Sequence, residues 1–211
     1  MKFPKCDETP LGIYPVVDRT EKLQPLYECG ITTAQLRVKD LSGDALEKKI
    51  VEAIRISNAF NVRLFINDYW ELAVKYHAYG VHLGQEDIVK TDMAKLHESG
   101  IRLGISTHTT GELHTALMIA PSYVAIGPIF ETTSKNMVYK PVGIEDLKRW
   151  SADVAYPVVA IGGINIDTID AVLETRAASG VAMIQGVLDE AKQSVSKEKT
   201  QQLIEKFNSA W

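Results

Sequence analysis

The chain has 211 residues, 45% of them hydrophobic, and a formal net charge of −4. That length supports a sizeable core, and the acidic balance gives no electrostatic reason to expect nucleic acid or an anionic membrane surface as a partner. Cys6 and Cys29 stand far apart with no CxxC spacing, which argues against a disulfide framework or a zinc site and fits reduced thiols in a cytoplasmic protein.

In chain order, residues 1–10 (MKFPKCDETP) lack the apolar core of a signal peptide and read as an N-terminal extension. The runs "LGIYPVV" and "TTAQLRV" follow, then "VRLFI", "GVHL", "RLGIS", "YVAIGPI", "PVVAIGG" and "GVAMIQGV". Each is rich in Val, Ile, Leu or Tyr and bounded by Gly, Pro, Asn or Asp, the pattern of buried strands. Amphipathic helical segments alternate with them: "DALEKKIVEAIRISNAF", "YWELAVKYHA", "DMAKLHES", "TGELHTALMI", "GIEDLKRWS" and "IDTIDAVLETR". Asp44, Thr110 and Asn165 are capping candidates, and "AKQSVSKEKTQQLIEKFNSAW" reads as a closing helix. About eight strand–helix units predict an α/β fold with a parallel sheet closed into a (β/α)₈ TIM barrel, a single domain over residues 1–211. A doubly wound open sheet is the alternative, but no GxGxxG turn follows the first strand. No apolar run approaches the length of a membrane span.

The polar residues at strand ends carry the chemistry. In "AQLRVKD", Gln35, Arg37 and Lys39 share one strand face and Leu36 and Val38 the other. With the apolar face turned toward the helices, the polar triplet points into the barrel mouth. There it meets either an anionic ligand or an internal partner such as Asp18. "LFIND" and "GVHLGQED" bring Asp68 and Asp87 to adjacent points on one rim. Two such carboxylates are either ordinary turn acids or a shared site for a hard cation such as Mg²⁺, with Asn67 beside it. Gly162 and Gly163 after the seventh run suit a second anion site, built from backbone N–H groups of the last two loops. Thr132, Ser134 and Lys135 lie on an irregular polar stretch, residues 131–143, that reads as a functional loop or a disordered one. Ser106 and His108 follow the fifth run. His82 alternates with Val81 and Leu83, so it faces inward, more as a satisfied core histidine than a ligand. His77, His97 and His114 read as ordinary helix residues. With no GxSxG, and no His near either Cys, nothing points to a protein nucleophile.

Taken in order, "YPVVD", "QLRVK", "FINDYWELA", "YGVHLGQED", "LGIST", "GPIF", "TTSK", "AIGGI" and "GVAMI" resemble the thiamine-phosphate synthase family, from about Tyr14 to Ile184. The resemblance implies a (β/α)₈ barrel that joins a hydroxymethylpyrimidine diphosphate to a thiazole phosphate, releasing pyrophosphate. It implies Mg²⁺ on Asp68 and Asp87, and a pyrimidine diphosphate site of Gln35, Arg37, Lys39, Asn67, Ser106 and Lys135. It also implies a thiazole phosphate site of Thr132, Ser134, Gly163, Ile184 and Gln185. Arg37, Lys39 and Lys135 would stabilise the leaving pyrophosphate. Partners would be small-molecule substrates, and the reading is compatible with a homo-oligomer. The chain departs from the family at Glu131 (usually Pro), Ser134 (usually Thr) and Gln185 (usually Ser). Rival readings are a thiazole tautomerase of the same barrel family and a non-catalytic binding protein of the pathway. Pro128, where such tautomerases are associated with His, and the paired acids favour the synthase.

Overall fold

A computed structural model describes residues 2–6, 10–132, 139–189 and 191–211. Eight parallel strands follow one another around a closed barrel: β1 (Gly12–Val17), β2 (Thr33–Leu36), β3 (Arg63–Asn67), β4 (Gly80–Leu83), β5 (Arg102–Thr107), β6 (Tyr123–Ile126), β7 (Val158–Ile161) and β8 (Gly180–Met183). Closure is made by β1 on β8, from Gly12 opposite Gly180 to Pro15 opposite Met183. The expected barrel is therefore the observed one, and the open doubly wound sheet is not.

The outer layer consists of α1 (Leu23–Glu28), α2 (Gly43–Ala59), α3 (Trp70–Lys75), α4 (Gln85–Ile88), α5 (Met93–Glu98), α6 (Thr110–Ile119), α7 (Gly143–Ser151), α8 (Ile169–Glu174) and α9 (Lys197–Ala210). The main core lies between strands and helices: Leu36, Leu64, Ile66, Val81, Leu83, Leu103 and Ile105 pack against Leu46, Ile50, Leu96 and Leu147. Fully burying one such side chain contributes about 1.5–3 kcal/mol. Two caps fall within two residues of the candidates Thr110 and Asp44, whereas the third, Asn165, stands three residues before Thr168, the N-cap of α8. Thr109, one residue before Thr110, accepts from Glu112 N–H at 3.2 Å; Ser42 precedes α2, leaving Asp44 in its first turn.

The barrel interior is a separate, smaller cluster in which Tyr14, Phe65 and Tyr123 meet at ring-centroid distances of 5.1–6.0 Å. Glycine makes the room. A Cβ on Gly80 would stand 2.5 Å from the Phe65 ring, and one on Gly104 would stand 2.1 Å from the Tyr123 ring. Below this aromatic layer the N-terminal segment covers the floor. Phe3 N–H donates to Ala120 O at 3.0 Å, Arg102 Nε to Lys5 O at 3.1 Å, and Arg63 Nη2 to Pro10 O at 2.9 Å.

Two local expectations change. Strand β2 ends at Leu36, so Arg37, Val38 and Lys39 follow the strand rather than lie within it. His77 stands beyond α3 with a left-handed φ of 50°, not on the helix. Helices α1 and α4 come from segments too short for a clear 3.6-residue period.

Candidate active site

The C-terminal ends of the strands hold the candidate residues. At the end of β3 the chain turns through Asp68, whose φ of 65° lies in the left-handed region. Asp tolerates that conformation better than most residues, because its short side chain can satisfy neighbouring backbone groups. The turn is fixed by Asp68 N–H donating to His82 O at 2.9 Å and Trp70 N–H to Asp68 O at 2.7 Å. It leaves the Asp68 carboxylate 17% exposed and paired with the Lys39 ammonium. Asp87 follows the neighbouring strand on the short helix α4. Its carboxylate folds back over Gly84, where an added Cβ would lie 3.3 Å from Oδ2. Burial first, then the adjacent Asp68 carboxylate, pushes the Asp87 carboxyl above the ordinary carboxylate range. The two acids are thus near enough to repel, and a cation between them would relieve that repulsion.

Asn67 is 6% exposed and its Nδ2 has no hydrogen-bond partner among the described residues. A buried donor left unmade costs about 1–3 kcal/mol, and an anionic oxygen at this point would satisfy it. Arg37 extends the ladder one residue, its N–H donating to Val17 O at 2.7 Å. Its side chain is half-buried, with no ion pair among the described residues. The alternative of an internal partner holds for Lys39, but the partner is Asp68 rather than Asp18, which pairs with Lys22 at 2.8 Å and Arg19 at 3.7 Å. Gln35 points inward as its strand position requires, and is 5% exposed.

Gln35 and Ser106 are joined through the barrel centre, a connection that sequence reasoning missed. Gln35 Nε2 donates to Tyr14 OH at 3.4 Å, Tyr14 OH meets Tyr123 OH at 2.9 Å, Tyr123 OH meets His82 Nδ1 at 2.7 Å, and His82 Nε2 meets Ser106 Oγ at 2.7 Å. His82 is therefore a satisfied inward histidine. Burial holds both tyrosine hydroxyls far above their ordinary pKa, so they stay protonated. Gln85 Nε2 fixes the backbone beside Ser106 by donating to its carbonyl at 2.6 Å. Replacing Tyr123 by Phe leaves Tyr14 and His82 facing a gap in the chain. The expected stability loss is about 1–3 kcal/mol, read as a lower denaturation midpoint in urea; an unchanged midpoint would show that the network contributes little.

The other half of the rim opens into a cavity of about 1030 Å³. Its wall includes Ser106, Thr132, Gly163, Ile184, Gln185 and Lys199. Gly162 and Gly163 have φ of 102° and 67°. A Cβ on Gly163 would come within 2.5 Å of Glu131 O, so glycine lets two loops touch there. Strand β8 ends at Met183, which leaves Gln185 exposed two residues past it. Ser134 and Lys135 lie outside the described residues. Of the five described residues expected at the pyrimidine diphosphate site, Ser106 alone is on this cavity's wall; Gln35, Arg37, Lys39 and Asn67 belong to the β2–β3 side.

A closed parallel barrel with charged side chains and glycine loops gathered at the C-terminal ends of its strands defines a class: a (β/α)₈ barrel of the kind whose enzymes carry their active sites at that face. The family model for thiamine monophosphate synthase matches residues 13–187. The thiamine-phosphate synthase of Serratia proteamaculans is 47% identical over 196 residues, covering 92% of each chain. That of Proteus mirabilis is 47% identical over 181 residues, 85% of this chain and 84% of the relative. The solved thiamine phosphate pyrophosphorylase from Pyrococcus furiosus superposes with a TM-score of 0.83 at 25% identity, covering 95% of this chain and 96% of that one. The chain belongs to the thiamine-phosphate synthase family, and is a transferase of thiamine biosynthesis.

Proposed function

We propose that the β2–β4 rim binds a hydroxymethylpyrimidine diphosphate and the β6–β8 cavity a thiazole phosphate or its carboxylated form, giving thiamine phosphate and pyrophosphate. The observation that carries this reading is the pair Asp68 and Asp87, pressed together beside the Lys39 ammonium and the orphaned Asn67 amide. Two carboxylates suit Mg²⁺, which commonly takes one or two of them and completes its shell with water and substrate phosphate oxygens. Among the described residues no cluster of three or more His, Cys, Asp or Glu offers a richer metal site. Asp68 and Asp87 would hold the ion, which when bound supplies positive charge to the diphosphate.

The chain's own residues do the rest. Arg37, Lys39 and Lys135 neutralise the leaving group as the bond from methylene carbon to diphosphate oxygen breaks and its electron pair departs with pyrophosphate. The aminopyrimidine delocalises the positive charge left on the methylene carbon. The thiazole nitrogen then donates its lone pair to form the new carbon–nitrogen bond, so no protein nucleophile is needed. Gln35 and Ser106 orient the pyrimidine end. Thr132, Ser134, Gly163 and the Ile184–Gln185 backbone hold the thiazole phosphate. The location that fits is the cytoplasm; among the described residues no helix is long and apolar enough to cross a membrane.

The test is a pyrophosphate-release assay with both substrates, with and without Mg²⁺. Release that requires both substrates and the metal is the expected result. No release, together with isomerisation of the thiazole carboxylate phosphate, would instead support a tautomerase.

A further inference from the structure

The cavity wall raises a question of charge. Glu131 and Asp167 both line it and both are exposed, and two acids disfavour a phosphate. Among the described residues on that wall, Lys199 is the single Lys or Arg. The fold puts it there by a detour after β8. Leu188 N–H donates to Gln185 O at 2.9 Å, Asp189 N–H to Ser194 O at 2.8 Å, and Ser196 N–H to Val187 O at 2.9 Å, with Leu188 and Val195 in an antiparallel bridge. The chain folds back on itself, so the first turn of α9 stands beside Ile184, Gln185 and Gly186. Ser196 caps that turn, its Oγ accepting from Lys199 N–H at 3.3 Å.

The Lys199 side chain is half-buried, and among the described residues its ammonium has one acceptor, Leu188 O at 3.4 Å. Among the described residues it forms no ion pair, although Lys192 and Lys197 close by do so with Asp189 and Glu28. An ammonium carries three donors, and partial burial weakens its hydration. A half-buried cation with one long hydrogen bond on a cavity wall is a charge awaiting an anion. The chain also has Gln185 at the strand-eight end, so no Ser hydroxyl is available there to help hold a phosphate.

We propose that Lys199 is the cation of the second anion site and contacts the phosphate of the thiazole substrate. The inference rests on the proposed function and adds a residue to it. It predicts that recognition is directed at the phosphate rather than at the thiazole ring. Lys199→Met should raise KM for the thiazole phosphate about tenfold or more, the loss expected for one charge-assisted hydrogen bond, and leave KM for the pyrimidine diphosphate within about twofold. Lys199→Arg should retain most of the affinity. In calorimetric titrations, the wild type should bind the thiazole phosphate more tightly than the unphosphorylated thiazole alcohol, and Lys199→Met should remove that preference.

An unchanged thiazole phosphate KM in Lys199→Met, or an equal rise in both KM values, overturns the assignment. If Lys199→Met fails to fold, the Arg variant and the wild-type preference for phosphate over alcohol decide: no preference overturns it. Absence of any pyrophosphate release by the wild type counts against the proposed function itself. Release by the wild type with an unaffected Lys199→Met variant removes Lys199 alone.

Discussion

Replacing Asp87 by Ala should lower the rate of thiamine phosphate formation by about 10²-fold or more, the scale of losing one element of transition-state charge stabilisation. The dependence on Mg²⁺ should weaken in parallel, and steady-state assays across a magnesium series would read both effects. Stability should move the other way. The Asp87 carboxylate is partly buried against Asp68 in the free protein, so its removal relieves a like-charge contact. The urea midpoint of Asp87→Ala should therefore be unchanged or raised, as at other sites where function holds unfavourable charge. A wild-type rate that ignores magnesium would remove the metal role, whereas a large fall in the urea midpoint would mean the acid is structural.

The second large effect is on folding. Gly104→Ala places a Cβ 2.1 Å from Tyr123 Cζ and 2.4 Å from its hydroxyl. That ring cannot step aside, because Tyr14 and His82 hold its oxygen and Phe65 meets it edge to face. Backbone β5 must shift instead, and overpacking of this kind costs about 3 kcal/mol. Ser106 lies two residues further along the same strand, so the thermodynamic loss should come with a higher KM for the pyrimidine diphosphate. Gly111→Ala is the control: its Cβ would meet only Thr109 Oγ1, at 3.9 Å. Equal urea midpoints for the two variants would contradict the packing argument.

The barrel was legible because buried parallel strands announce themselves as short apolar runs between turn residues. "GVHL" coincides with β4, and "TGELHTALMI" and "GIEDLKRWS" coincide with α6 and α7. The proximity of Asp68 to Asp87 was legible too, since they follow adjacent strands of a sequentially ordered sheet, Asp68 directly after β3 and Asp87 on the short helix after β4. What sequence could not show depends on cross-strand register. The pairing of Lys39 with Asp68 joins residues after β2 and β3, whose side-chain directions are set only once the chain leaves the strands. The Tyr14–Tyr123–His82 chain crosses the barrel diameter, and its members look like ordinary core aromatics one at a time. The partnership of Gly80 with Phe65 and Gly104 with Tyr123 was likewise invisible, though a glycine inside an apolar strand is the signal that something large stands opposite. Helix α4 was missed because a segment of four residues carries no period. Lys199 was passed over because a lysine in a polar closing helix reads as solvated.

The floor of the barrel has a practical corollary. Residues 2–6 lie against Ala120 and Arg102, at the ends of the strands opposite the proposed catalytic rim, and α9 runs from that rim so that Trp211 stacks on Phe207 at its far end. Anchoring the molecule to a sensor chip or resin through residue 2 or residue 211 should therefore turn the proposed substrate face outward, free for substrates to reach.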